Sequence, residues 1–126
     1  LKDDIYKAQI DELNYMPIIN EGEYREASVA VSIRLMYFLT LLKMSIKDKE
    51  IPFPRFLLID TPESLGIDQD NLENSISKFS ILNDQPDNIN YQIILTTGIG
   101  KYPKEFSSFK RGRSLLKSNK LLLRKK

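Results

Sequence analysis

Asp60 is the residue in this chain best placed to do chemistry. It ends the run Arg55-Phe56-Leu57-Leu58-Ile59-Asp60, and Pro62 follows one residue later. Four consecutive apolar residues predict a short strand buried on both faces, as in a parallel sheet covered by helices. The carboxylate then lies at the strand's C-terminal end, where open α/β sheets receive ligands. There it can hold Mg²⁺, directly or through water, beside the phosphates of a nucleotide. An aspartate that only closes a strand or starts a turn has the same local sequence, so its neighbours have to decide.

Composition removes several kinds of chemistry. The chain has no histidine and no cysteine. That excludes Ser-His-Asp catalysis, a cysteine nucleophile, imidazole and thiolate metal ligands, and disulfides. A zinc site is not expected. No Gly-x-x-x-x-Gly-Lys-Ser/Thr occurs, and Gly98-Ile99-Gly100-Lys101 is too short and follows the wrong strand to replace it. The 126 residues suffice for one modest core. The polar start, Leu1-Lys2-Asp3-Asp4, is unlike a signal peptide. Val29–Met44 is the most apolar helix-length stretch, but it contains Arg34 and Lys43 and reads as too short to span a bilayer. No membrane association is expected, and a cytoplasmic location is the default.

The surrounding elements follow from periodicity. Ile5, Ala8, Ile10, Leu13 and Met16 recur at roughly helical spacing, so residues 1–16 read as an amphipathic helix or the end of a coiled coil, bounded by Pro17. A short polar loop, Asn20-Glu21-Gly22-Glu23, precedes a long helix from Glu23 to about Lys47. That helix is apolar almost all round and is therefore expected to be largely buried, with Arg34 seeking an anionic partner. After the Asp60 strand, Asp68 or Asp70 caps a helix of about Gln69 to Leu82. Tyr91–Thr97 forms a second buried strand ended by Gly98 and Gly100. Residues 101–114 read as irregular, and 114–116 with 120–124 as short strands or one hairpin. Strand, helix, strand is a βαβ unit, so the fold class is α/β, a parallel sheet with flanking helices. The domain division read here is a lead-in at 1–16, a body at 17–110 and a basic tail at 111–126.

In this order the pieces resemble the C-terminal half of an ABC-type ATPase head, most closely the SMC-like, RecN/RecF-type heads that a coiled coil interrupts. Ile19-Asn20-Glu21-Gly22-Glu23 lies where that family has its signature loop, Leu-Ser-Gly-Gly-Gln/Glu. Gly22 and Glu23 match, and Asn20 replaces the serine. Phe56-Leu57-Leu58-Ile59-Asp60 matches the Walker B strand, and Pro62 the proline after it. Asp68 fits the D-loop aspartate, with a loop about one residue longer. Thr61 stands where the family usually has its catalytic glutamate. Thr96-Thr97-Gly98 stands where it has Ser/Thr-His, so the switch histidine is missing.

The resemblance implies a role for each position. Asn20, Glu21, Gly22 and Glu23 would bind the γ-phosphate of ATP held by a second head, the glycine admitting the phosphate to backbone and the helix start offering N–H groups. Asp68 would contact that opposing head. Asp60 would help hold Mg²⁺. Thr61 cannot serve as a general base, which leaves Glu63 as the nearest carboxylate able to polarise water. Thr97 could hydrogen-bond a γ-phosphate. The P-loop would belong to an N-terminal lobe upstream, so this chain is expected to be a half-site of a longer protein, inactive alone and completed by that lobe and a second head, in a homodimer. DNA repair or antiphage defence is the implied setting.

Charge adds a further partner. Residues 1–100 have nine basic and sixteen acidic side chains, whereas residues 101–126 have ten basic ones and only Glu105. A basic tail on an acidic body suits DNA or another polyanion, and equally suits a solvated end. The contrasting reading of the whole chain is a non-enzymatic α/β binding module, or a pseudo-ATPase switch, that docks nucleic acid or a partner through this tail.

Overall fold

The computed structural model describes residues 5–23, 27–82 and 90–111. The 114–116 and 120–124 strand assignments, most of the basic tail and the 83–89 loop lie outside these residues. The fold is mixed α/β with two small sheets. Strands β1 (Ala8–Ile10) and β2 (Pro17–Ile19) form an antiparallel hairpin, followed by α1 (Ala27–Lys47), β3 (Phe56–Asp60), α2 (Gln69–Ser77) and β4 (Gln92–Thr96).

The hairpin overturns the helix expected over 1–16. Asp11 decides the local structure. Its Oδ1 accepts the backbone amides of Leu13 (2.8 Å) and Asn14 (3.3 Å), and its Oδ2 accepts the Asn14 side-chain amide at 3.0 Å. These bonds capture amides that a helix would need and reverse the chain. Tyr15 takes a left-handed φ of 55°, and Ala8 pairs with Ile19, Gln9 with Ile18 and Ile10 with Pro17. The apparent stripe is not a core face, since Ile5, Ile10 and Leu13 are all exposed. The hairpin is anchored where the Tyr37 hydroxyl of α1 donates to the Tyr15 carbonyl at 2.9 Å.

Helix α1 supplies most of the core, although less of it is buried than its composition predicts. Val31, Leu35, Leu39, Leu42 and Ile46 form one buried stripe with steps of three and four residues, while Met44 and Arg34 are exposed. Among the described residues, two short strand pairs and one short helix offer too little surface to enclose a 21-residue helix on all sides. The apolar stretch is also longer than Val29–Met44. Ser28–Lys47 is long and apolar enough to cross a membrane by length and composition, contrary to the shorter reading, and its buried stripe is the face that packs in the core. At its C-terminal end the Arg55 Nε donates to the Ser45 carbonyl at 3.0 Å, tying the helix to the strand that follows.

Strands β3 and β4 are parallel, with Phe56 opposite Gln92, Leu58 opposite Ile94 and Asp60 opposite Thr96. Leu57 and Ile59 pack into the core with Ile93 and Leu95 beside them, whereas Phe56, Leu58 and Ile94 are exposed. Burial on both faces, as expected for β3, is therefore not found, and β4, also expected to be buried, alternates between exposed and half-buried residues. Helix α2 begins where expected and passes at Lys78–Leu82 into a 3₁₀ turn; Leu72, Ile76, Phe79 and Leu82 all point inward.

Candidate functional site

Asp60 and Thr96 meet at the carboxyl ends of the two parallel strands because the register places them opposite one another. The Thr96 hydroxyl donates to Asp60 Oδ1. The Thr61 amide donates to the Thr96 carbonyl at 3.0 Å and lies 3.2 Å from Thr96 Oγ1. Thr96 is the residue that sequence reasoning missed. The signal was available, since counting both strands back from their apolar cores makes Asp60 and Thr96 equivalent positions.

The loop after Asp60 is tightly set. Thr61 has φ 39° and ψ 59°, a left-handed conformation that a β-branched residue adopts at a cost. Pro62–Leu65 then form a 3₁₀ turn closed by Gly66, whose φ of 88° suits glycine. The Ser64 hydroxyl donates to the Thr61 carbonyl at 2.7 Å. Asparagine tolerates left-handed backbone where threonine does not. Thr61→Asn should therefore raise stability by about 0.5–1 kcal/mol in a denaturant titration.

Both carboxylate oxygens of Glu63 accept hydrogen bonds. The Thr97 hydroxyl donates to its Oε2 at 3.1 Å, and the Gly98 amide donates to its Oε1. Both carboxylate oxygens thus tie the loop after β3 to the loop after β4. Gly98 eases this approach, because a Cβ there would lie 3.2 Å from Glu63 Oε1 and 3.1 Å from Lys101 Cγ, and those side chains would have to shift slightly. The structure therefore groups Asp60, Thr61, Glu63 and Thr97, but gives Glu63 the geometry of a clamp.

Asp68 caps α2. Its Oδ1 accepts the Asn71 amide at 2.9 Å and its Oδ2 the Asn71 side-chain amide at 2.6 Å. The Asn71 backbone amide, then its side-chain amide, hold the Asp68 carboxyl below the ordinary carboxylate range, and a hydrogen bond from Ser28 at the start of α1 adds to this. A carboxyl whose folded pKa is depressed stabilises the fold above its unfolded pKa, and that contribution is lost as pH falls through the folded value. Asp68→Ala should lower Tm by a few degrees at neutral pH. The gap between variant and wild type should close on acidification below about pH 4.

The Asn20–Glu23 loop forms a separate group. Asn20, Glu21 and Gly22 have φ of 48°, 60° and 82°, three successive left-handed residues. Asn20 Oδ1 accepts the Tyr6 and Lys7 amides at 3.0 and 3.2 Å, and Lys7 Nζ meets Glu21 Oε1 at 2.8 Å. These bonds fasten the loop to the hairpin, an organisation that the expected lead-in helix did not contain. Glu23 closes the turn, its amide donating to the Asn20 carbonyl at 3.2 Å.

Asp60 is an exposed carboxylate at the carboxyl end of β3. Among the described residues no group of three or more acidic side chains forms a metal cage. A groove of about 190 Å³ between α1 and β3 borders Asp60, and Leu35, Phe38, Leu58 and Leu65 make its walls largely apolar. The donor set fits Mg²⁺ only in the manner in which that ion commonly binds beside nucleotides, with one protein carboxylate, several waters and phosphate oxygens. The chain matches no protein-family model, no curated protein and no solved structure.

Proposed function

We propose that this chain is the signature, Walker B and D-loop lobe of an SMC-like ATPase head, which acts on ATP and Mg²⁺ with an upstream P-loop lobe and a second head. The observation that carries this reading is the parallel β3–β4 register. It sets Asp60 beside Thr96 at the carboxyl ends of both strands, with Thr97 one residue on. The open face of the pair gives support of a different kind. Parallel strands are normally covered on both sides, and Phe56, Leu58 and Ile94 here form an exposed apolar strip that a neighbouring lobe would cover.

In this role Asp60 is the carboxylate that holds Mg²⁺, and the ion supplies charge neutralisation at the phosphates. Thr97 donates to phosphate, the Asn20–Glu23 loop meets the ATP of the opposing head, and Asp68 faces that head while capping α2. A cytoplasmic protein of DNA repair or defence is the setting that goes with this assembly.

The committed oxygens of Glu63, together with Thr61, favour a slow enzyme or a nucleotide-bound switch as the second reading. The test is ATP binding, ATP-dependent dimerisation and turnover in the longest native chain that contains this segment. Binding with turnover supports the ATPase. Binding and dimerisation without turnover supports the switch. Absence of nucleotide binding leaves a binding module whose basic tail is then assayed by salt titration on DNA.

A further inference from the structure

We infer that Glu63 is an internal plug, occupying with its own carboxylate a two-donor anion site made by the Thr97 hydroxyl and the Gly98 amide. The inference rests on reading Thr97 as a phosphate contact, and it assigns that contact a regulation. The Gly98 amide donates to Oε1, and the Thr97 hydroxyl lies 3.1 Å from Oε2, closer than its other acceptor, the Lys101 carbonyl at 3.4 Å. Neither donor is exposed on the open surface, since both residues are half-buried.

The site is built around an anion. A side chain at position 98 would crowd Glu63 Oε1 and the Lys101 stem, so the glycine leaves room for an oxygen to reach the amide. Lys101 runs across that glycine and ends on a neutral acceptor, Gln69 Oε1 at 3.0 Å. A carboxylate and a terminal phosphate present similar oxygens to such donors. An incoming phosphate therefore competes with Glu63 instead of entering an open site.

Displacing Glu63 has a structural consequence. The carboxylate is attached to the 3₁₀ turn that follows left-handed Thr61. Release frees that turn from the loop after β4 and allows Thr61 to leave its left-handed conformation. The plugged state is thus closed by charge-assisted hydrogen bonds and opposed by backbone strain, the arrangement of a two-state loop.

The test separates occlusion from charge. Glu63→Asp keeps the charge but is one methylene too short to span both donors. Glu63→Gln loses the charge but keeps the length and an oxygen for the Gly98 amide. Pyrophosphate is titrated into the ¹⁵N-labelled 126-residue chain and the Gly98 amide resonance followed. Apparent affinity scales with the unplugged fraction, so Glu63→Asp should bind about 10-fold more tightly than wild type, and Glu63→Gln, which loses the charge and one of the two acceptor oxygens, should gain as well. Adding Thr97→Val to Glu63→Asp should abolish the gain.

A gain in Glu63→Gln and none in Glu63→Asp overturns the plug in favour of simple charge repulsion. An unresponsive Gly98 amide in every variant overturns the anion site itself. Neither result bears on ATP binding by the longest native chain, so failure of the ATPase reading is seen separately, in that chain's nucleotide assays.

Discussion

Leu72→Ala is expected to lower the unfolding free energy by about 2–5 kcal/mol, a large part of the 5–15 kcal/mol typical of a domain. Leu72 is completely buried, in a cluster with Leu42, Ile46, Ile76 and Leu82. It lies on α2, one turn after the Asp68 cap, and its neighbours come from α1 and the 3₁₀ turn after α2. Truncation removes apolar contacts and leaves a cavity that its packed neighbours close only in part. The comparison is Leu58→Ala. Leu58 has the same side chain at 58% exposure on the open face of β3, and its loss should cost below about 1 kcal/mol in this chain. Urea titrations of both variants, read as midpoints at constant slope, check the contrast. Equal losses would mean that the open face is packed in solution.

If the proposed ATPase reading holds, Asp60→Asn should reduce ATP turnover in the longest native chain by about 10²–10⁴-fold while leaving the fold intact. Asparagine keeps an oxygen able to accept the Thr96 hydroxyl, so the coupling of the two strand ends survives. It removes the negative charge, and no cluster of acidic side chains among the described residues stands in for it. Mg²⁺ would then be held by phosphate and water alone. Nucleotide binding should fall far less than turnover, because the upstream lobe makes most contacts to ATP in the proposed assembly. Steady-state turnover at saturating Mg²⁺, with circular dichroism as a fold control, measures the effect. Unchanged turnover would remove Asp60 from the site.

The sequence exposed the elements whose signals are local. The Asp60 strand, the Tyr91–Thr97 strand and α2 with its Asp68 cap are each set by a short apolar run or one capping side chain, and each is found where that signal lies. The lead-in failed because two local signals compete. Five apolar residues at helical spacing suggest a helix, whereas the bonds of Asp11 to residues 13 and 14 make a turn, and the turn wins because the stripe has no surface to pack against.

The site was legible in its residue types but not in its connections. Asp60, Thr61, Glu63 and Thr97 do fall together, yet the clamp of Glu63 on Thr97 and Gly98 spans 34 and 35 residues, and no periodicity encodes it. One-sided burial of β3 was equally hidden. Four apolar residues in a row do not say how many neighbours are present to cover them. The left-handed backbone of Thr61 has no signal in residue type at all, since threonine is among the residues least suited to it.

The wide separation of β3 and β4 also sets an order of assembly. The hairpin joins residues that are at most eleven positions apart, whereas Asp60 and Thr96 are thirty-six apart. Near contacts close early, and distant ones wait for the chain between them. During synthesis β3 therefore emerges long before its partner exists, with Leu57 and Ile59 not yet buried and its backbone donors unpaired. Until about thirty more residues have left the ribosome, this strand is open to chaperone capture and to pairing with another nascent copy.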